Sequence, residues 1–153
     1  SRPPMTIMGS LDGVQAGLRN LRRPRPLETM HIEVAPDSIV TAPTPEEMLR
    51  VKAYLIVQRN AVRDYLDVVA LADLLGVDQA GLILAGIDDY YDDRSEQHGS
   101  VRTSVALALA DPSPHDGDVI ADLPRYRGLD PRWHEWDAVT SACKELALEV
   151  AQA

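Results

Sequence analysis

Residues 25–36 show the alternation of apolar and polar positions that is typical of a β-strand. The alternating residues are Thr29, Met30, His31, Ile32, Glu33 and Val34. A period of two places the apolar set on one face of an extended chain and the polar set on the other. The pattern therefore predicts a strand here. A second short extended segment is predicted over residues 37–43, where prolines end it.

From Thr44 onward the pattern predicts helices. Thr44 is a suitable N-cap, Pro45 suits the first helical position, and Glu46 and Glu47 place acidic groups in the first turn. This helix is predicted to end at about Asn60. Further helices are predicted over residues 61–76, 77–86, 100–110, 116–123 and 130–153.

The predicted fold class is α+β, with a short N-terminal β portion over residues 1–43 and a helical bundle over residues 44–153. The segment Met8–Gly13 is predicted to be a loop because of its turn-forming residues. Two or three strands are marginally stable as a sheet unless further strands complete them. We therefore expect the β portion to belong to a larger sheet.

Composition and charge narrow the function classes. The net charge is −9, and no run of about 18 apolar residues is present. Residues 1–30 carry five Arg and two acids, whereas residues 31–153 carry ten basic and 22 acidic residues. The basic stretch 18–26 is interpreted as a solvated loop in preference to a nucleic-acid contact. With a single cysteine and no signal peptide, the expected location is cytoplasmic, without a membrane partner.

The stretch Val51–Asp67, VKAYLIVQRNAVRDYLD, combines an apolar helix pattern with many charges. Lys52 and Arg59 are seven residues apart and share a helix face. Asp64 is in line with an apolar stripe that should face the core. Because a buried charge without a partner is costly, these groups must be paired with each other or must hold a charged ligand.

Two interpretations of these charges are equally compatible with the spacing. In the first, Arg59, Arg63, Asp64 and Asp67 form a structural ion-pair cluster, and Lys52 extends into solvent. In the second, the charges form a ligand site. The chain has thirteen Arg but only two Lys, so a lysine at position 52 favours a site that needs a compact charge.

The charges follow the spacing Lys52, Arg59, Arg63-Asp64 and Asp67, after a strand and a Pro-x-Glu helix start. This arrangement resembles the AbiEii/AbiGii-type nucleotidyltransferase toxins, which include MenT-like toxins. The resemblance covers residues 27–76. It implies a nucleotidyltransferase-like sheet and transfer of a nucleotide from an NTP, with Mg²⁺, to a tRNA or other RNA or a protein acceptor. It also implies opposition by a cognate antitoxin.

The resemblance also implies roles for individual residues. Lys52 and Asp64 match catalytic positions, and Lys52, Arg59 and Arg63 match positions that bind the nucleotide. Glu33 matches the third strand carboxylate that holds the metal, and Asp67 matches a supporting position.

The family's opening G-S/T…D-x-D unit, which supplies two metal ligands, is absent from this chain, where only Gly9, Ser10 and Asp12 stand nearby. Four interpretations follow. The chain is the C-terminal part of a longer enzyme, a half-enzyme completed by another chain, a truncated homologue, or a non-catalytic helical interaction module in which the charged helices form a structural ion-pair cluster.

Overall fold

The computed structural model describes residues 6–19, 23–91 and 99–153 of the chain. Strands and helices in this part of the chain follow in the order β1 (Thr6–Leu11), β2 (Val14–Arg19), β3 (Thr29–Ala35), β4 (Ser38–Pro43), α1 (Pro45–Arg59), α2 (Val62–Leu75), α3 (Val77–Ala85), α4 (Val101–Ala110) and α5 (Trp136–Gln152). Short 3₁₀ segments lie at Ile87–Asp89, Gly117–Arg125 and Pro131–Trp133.

The strands form two separate antiparallel hairpins, β1–β2 and β3–β4. Asp12 and Gly13 join the first pair, and both have positive φ angles, 51° and 82°. Two such residues make the tight turn that matches the twist of paired strands. The prediction of a loop at Met8–Gly13 is therefore wrong, because this segment contains most of β1 and the whole turn.

Each hairpin has one apolar face. In β3–β4, Met30 pairs with Ala42 and Ile32 pairs with Val40, and directly paired residues point to the same side. In β1–β2, Leu11 pairs with Val14, and Ile7 and Ala16 lie on the same side by alternation. The large apolar side chains on these faces are exposed, including Ile7, Leu11, Val14, Met30, Ile32, Val34 and Val40. Each described strand pairs only within its own hairpin, so completion into a larger nucleotidyltransferase-like sheet stays a prediction.

The predicted start and end of α1 are confirmed. The Thr44 hydroxyl accepts a hydrogen bond from the Glu47 backbone N–H at 3.2 Å, and Pro45 occupies the first helical position. Asn60 ends the helix in the left-handed conformation, with φ of 50°. The Thr44 backbone N–H also donates to the Glu28 carbonyl at 3.0 Å. This bond closes the base of the β3–β4 hairpin directly at the first turn of α1.

The helices bury a continuous core to which each of α1–α5 contributes. Helices α3 and α5 come especially close at Gly81, where an added Cβ would stand 2.4 Å from the Cβ of Glu149. Only glycine leaves room for that approach. Cys143 lies fully buried on α5, and burial raises the pKa of its thiol to about 12.

The C-terminal helix begins later than predicted, at Trp136 instead of Asp130. Asp130 instead caps the 3₁₀ segment Pro131–Trp133, since its carboxylate accepts from the Arg132 backbone N–H at 3.0 Å. The helix predicted over residues 116–123 is a 3₁₀ segment that extends to Arg125 and contains Pro124. Capping residues and proline thus make short turns where the apolar pattern predicted longer helices.

Candidate functional site

Lys52 and Asp67 form an ion pair between α1 and α2. The Lys52 ammonium donates to the Asp67 carboxylate at 2.6 Å. The side chains of Lys52 and Asp67 are 23% and 42% exposed. Solvent therefore reaches both groups, and the pair joins the two helices near the protein surface.

Arg59 and Asp64 form a second pair, at the junction between the same two helices. The guanidinium donates twice to the fully buried Asp64 carboxylate, from Nε at 2.7 Å and from Nη2 at 2.5 Å. This hydrogen bonding raises the pKa of Arg59. Asp64 also accepts from the Ala61 backbone N–H at 3.4 Å, so it caps the start of α2. Asp64 thus holds the α1–α2 turn together.

The other two candidate residues lie apart from these pairs. Arg63 is exposed and makes no ion pair with any residue in the described ranges. Glu33 lies on the polar face of the β3–β4 hairpin, paired with Ile39. Among the described residues no group of three or more His, Cys, Asp or Glu side chains is placed to hold a metal ion. Metal binding by Glu33, with Mg²⁺ as the ion, and the catalytic and nucleotide-binding roles stay predictions.

A larger charged cluster, which sequence reasoning missed, lies at the other end of α1. Glu47 is fully buried and accepts from both Nη atoms of Arg23, with Nη2 at 3.0 Å. It also accepts from Arg50 Nη1 at 3.3 Å. Arg50 Nη1 donates in addition to Glu28 at 2.9 Å. The two guanidinium groups are thus balanced by two carboxylates.

Aromatic rings complete this cluster. The Arg50 guanidinium lies 4.0 Å from the centre of the Tyr90 ring, and Arg23 lies 5.4 Å from the centre of the Tyr91 ring. The Tyr90 hydroxyl donates to Glu28 at 2.7 Å. Hydrogen bonds from Tyr90 and then Arg50 lower the pKa of Glu28. The cluster therefore holds the segment before β3 against α1 and against Tyr90 and Tyr91, which follow the 3₁₀ segment after α3.

The sequence held only a partial signal for this cluster. Glu47 and Arg50 are three residues apart on one helix, a spacing that favours contact. Arg23 belongs to the stretch 18–26 that was interpreted as a solvated loop. That interpretation is wrong for Arg23, whose side chain is only 4% exposed because Glu47 and Tyr91 surround it.

Comparison with known proteins relates most of the chain to mycobacterial transport proteins. It is 32% identical over 132 residues to the "Mycolic acid-containing lipids exporter MmpL11" of Mycolicibacterium smegmatis. It is 33% identical over the same length to the "Heme uptake protein MmpL11" of Mycobacterium tuberculosis. Each match covers 86% of this chain but only 13% of the relative. No known family profile and no solved structure matches the chain.

These similarities overturn the resemblance to AbiEii/AbiGii-type toxins. The relatives found are transport proteins, and no nucleotidyltransferase is among them. The predictions of a nucleotidyltransferase function, an NTP, RNA or protein acceptor, a cognate antitoxin, a cytoplasmic location and no membrane partner are therefore wrong. The short charge spacing Lys52–Asp67 misled the assignment because ion pairs between consecutive helices produce the same pattern.

Within the described ranges, no single helix is long and apolar enough to cross a membrane. Helices α2 and α3 reach that length and composition only when taken together, and the chain bends by 116° between them.

Proposed function

We propose that this chain forms a non-catalytic interaction domain of a transport protein of the MmpL11 type. The observation that carries the proposal is the similarity to such proteins over 86% of the chain. Because the chain spans only 13% of the length of those relatives, its function is that of one part of a larger assembly.

The pairing of the charges supports a structural role for them. Lys52 and Arg59, the two cations on α1 that a nucleotide would need, each already contact a carboxylate of α2. Such pairs fix the angle between two helices and leave little net charge to attract a ligand. The helical part is thus suited to act as a rigid body that holds its surfaces in place.

The hairpins are the surfaces that attach this body to the rest of the assembly. An isolated two-stranded hairpin is marginally stable in water, and exposed apolar patches commonly mark interaction sites. The bond between Thr44 and Glu28, together with the Arg23–Glu47 contact, holds β3–β4 firmly to the helices. The apolar face of the β3–β4 hairpin can therefore dock against the rest of the assembly without rearrangement of the connecting chain. This face consists of Met30, Ile32, Val34 and Val40.

A chimeric transporter tests the proposal. In the M. smegmatis relative, the matching segment is replaced by this chain, and export of mycolic acid-containing lipids is compared with that of a segment deletion. We expect the chimera to restore export that the deletion loses. If the deletion exports normally, or if the chimera reaches the membrane in normal amount but exports no better than the deletion, the proposal is wrong.

Two hairpin variants of the chimera test the attachment surface. Met30→Ser combined with Ile32→Ser removes apolar area from one face, and we expect export to fall to the level of the deletion. His31→Ser combined with Thr41→Ser changes the opposite face and should leave export unchanged. Equal effects of the two variants would exclude the apolar face as the attachment surface.

A further inference from the structure

A groove of about 640 Å³ runs between α4 and α5, on the side of these helices that faces away from the core. Each helix buries one stripe, which includes Val105 on α4 and Leu146 on α5. Each then carries a second apolar stripe that lines the groove. Leu107 and Leu148 are 67% and 60% exposed at its rims, and alanines lie between them. The exposed leucine on each wall and the alanines between them form an apolar patch of the kind that often marks an interaction site.

The two walls repeat one spacing. On α4 the lining residues include positions 103, 106, 107 and 110, and on α5 they include positions 144, 147, 148 and 151. These are the i, i+3, i+4 and i+7 positions of one helix face. A third helix can place its own ridge of side chains between two such stripes, and small alanines let its backbone approach closely. The shape of the groove therefore fits a helix.

The charge of the groove is opposite to that of the protein as a whole. The chain carries 24 acidic and 15 basic residues, yet the charged residues that line the groove are Arg102 and Lys144. Arg102 Nη2 donates to the Val150 carbonyl at 2.7 Å, which holds this guanidinium beside the last turn of α5. Lys144 is exposed and makes no ion pair within the described ranges. Lys144 and Val150 are six positions apart on α5, about 9 Å along the helix axis.

We propose that this groove binds an amphipathic helix of a partner protein, with acidic residues at both ends of its apolar stripe. Two cations about 9 Å apart along the axis match carboxylates about six residues apart on such a helix. An amphiphile with one anionic headgroup could engage only one of the two cations. A second copy of this chain, paired through the same surface, would bring four cations together without an acid. An acidic helix satisfies both the apolar walls and the two charges.

Peptide binding to the purified chain tests this assignment, independently of the transporter chimera. The probe is a fluorescent 15-residue helical peptide with Leu and Ala at i, i+3, i+4 and i+7 and Glu at each end of that stripe. We expect saturable binding in fluorescence anisotropy, and about fivefold weaker binding when Gln replaces both Glu residues. A scrambled peptide of the same composition should bind at least about tenfold more weakly, since its apolar side chains no longer share one face.

Variants of the chain localise the binding. Leu107→Ser combined with Leu148→Ser should weaken binding at least about tenfold, because it removes the apolar walls. Leu74→Ser combined with Leu82→Ser changes two equally exposed leucines on α2 and α3 and should leave binding unchanged. Lys144→Glu should weaken binding of the Glu peptide and strengthen binding of a Lys-flanked peptide.

Several outcomes would overturn the proposal. These are no binding of the Glu peptide, equal binding of the scrambled peptide, and equal loss in the two leucine double variants. Displacement of the peptide by oleate at equal concentration would show that a single-headed amphiphile fits the groove as well. Dimerisation in sedimentation that Leu107→Ser and Leu148→Ser abolish would identify a second copy of the chain as the occupant.

Discussion

The two ends of α1 carry their charges in different ways. At its start, Glu47 and Arg50 are buried and contact Arg23 and Glu28 from the segment before β3 and Tyr90 from the chain after α3, two other parts of the chain. In the middle and at the last residue of α1, Lys52 and Arg59 each contact one carboxylate of α2, the next helix. The first arrangement joins remote segments, and the second fixes a local helix turn.

Burial and the number of partners decide how much a charged group contributes to the stability of the fold. The Glu47 carboxylate is fully buried and shared by two guanidinium groups, whereas solvent reaches both members of the Lys52–Asp67 pair. The Arg59–Asp64 pair lies between these two cases, because Asp64 is fully buried but Arg59 is 29% exposed. Removal of single charges should therefore have different effects at these three places.

The largest effect is expected for Glu47→Gln. This change leaves Arg23 and Arg50 without their shared buried carboxylate and should lower the free energy of unfolding by about 3–5 kcal/mol. Urea denaturation followed by circular dichroism measures the change. Glu46→Gln, which removes the adjacent acid in the same turn, is the matched control and should change stability by less than about 0.5 kcal/mol. Equal effects of the two substitutions would show that the cluster does not stabilise the fold.

A smaller effect is expected for Asp64→Asn. Asn keeps the size of the side chain and can still accept from the Ala61 N–H, but it loses the charged bonds from Arg59. The free energy of unfolding should fall by about 2 kcal/mol, as for loss of hydrogen bonds to a charged group. The same denaturation experiment measures it. A loss as large as that for Glu47→Gln would remove the contrast between the two ends of α1.

The third effect depends on pH and involves Glu28. Its pKa is lowered from its ordinary value of 4.5 by hydrogen bonds from Tyr90 and Arg50. A carboxyl group with a lowered pKa in the folded state stabilises the fold fully above about pH 4.5, and this contribution is lost as the pH falls through the lowered value. The side chain is 44% exposed, so the effect should be smaller than that of Asp64.

Thermal unfolding of the parent and of Glu28→Gln between pH 6 and pH 3 measures this effect. The difference in Tm should be largest at pH 6 and should shrink as the solution is acidified. A constant difference across the range would show that the ionised carboxylate of Glu28 contributes nothing specific.

The smallest effect is expected for Lys52→Ala. Because solvent reaches both members of the Lys52–Asp67 pair, its loss should cost at most about 1 kcal/mol, and less in high salt. Arg63→Ala, which removes an exposed arginine on α2, is the control and should be neutral. Denaturation in 0.05 M and 1 M NaCl measures both variants. A loss of several kcal/mol for Lys52→Ala would place this pair in the same class as the Glu47 cluster.

The same contrast explains what could be predicted from the sequence. The pair of Arg59 and Asp64 was part of the structural interpretation, since both residues lie within residues 51–67. That interpretation was wrong for Lys52, which contacts Asp67 and does not extend freely into solvent, and for Arg63, which is exposed and outside the described pairs. The Glu47 cluster unites residues up to 68 positions apart, and no local spacing reveals such contacts. Glu47 and Arg50 could be recognised in the sequence as an i, i+3 pair, but the burial of Arg23 could not be predicted.

Local signals also defined some elements better than others. Thr44 and Pro45 fixed the start of α1 because capping acts within one turn. The first hairpin was missed although Asp12 and Gly13 form a favoured turn pair, since Gly9 and Gly17 weaken the strand pattern on either side. The apolar groove between α4 and α5 was not predicted, because its two stripes meet only through the packing of helices separated by 25 residues of chain.

Because Cys143 is buried, labelling of its thiol can report transient opening of the protein core. Alkylating reagents react with the thiolate, and a pKa of about 12 together with full burial keeps the folded thiol unreactive near neutral pH. Since this is the single cysteine of the chain, every labelled molecule records one opening of the core around α5. The labelling rate in native buffer therefore reports opening of the core that exposes Cys143, and no substitution is needed to introduce a reactive group.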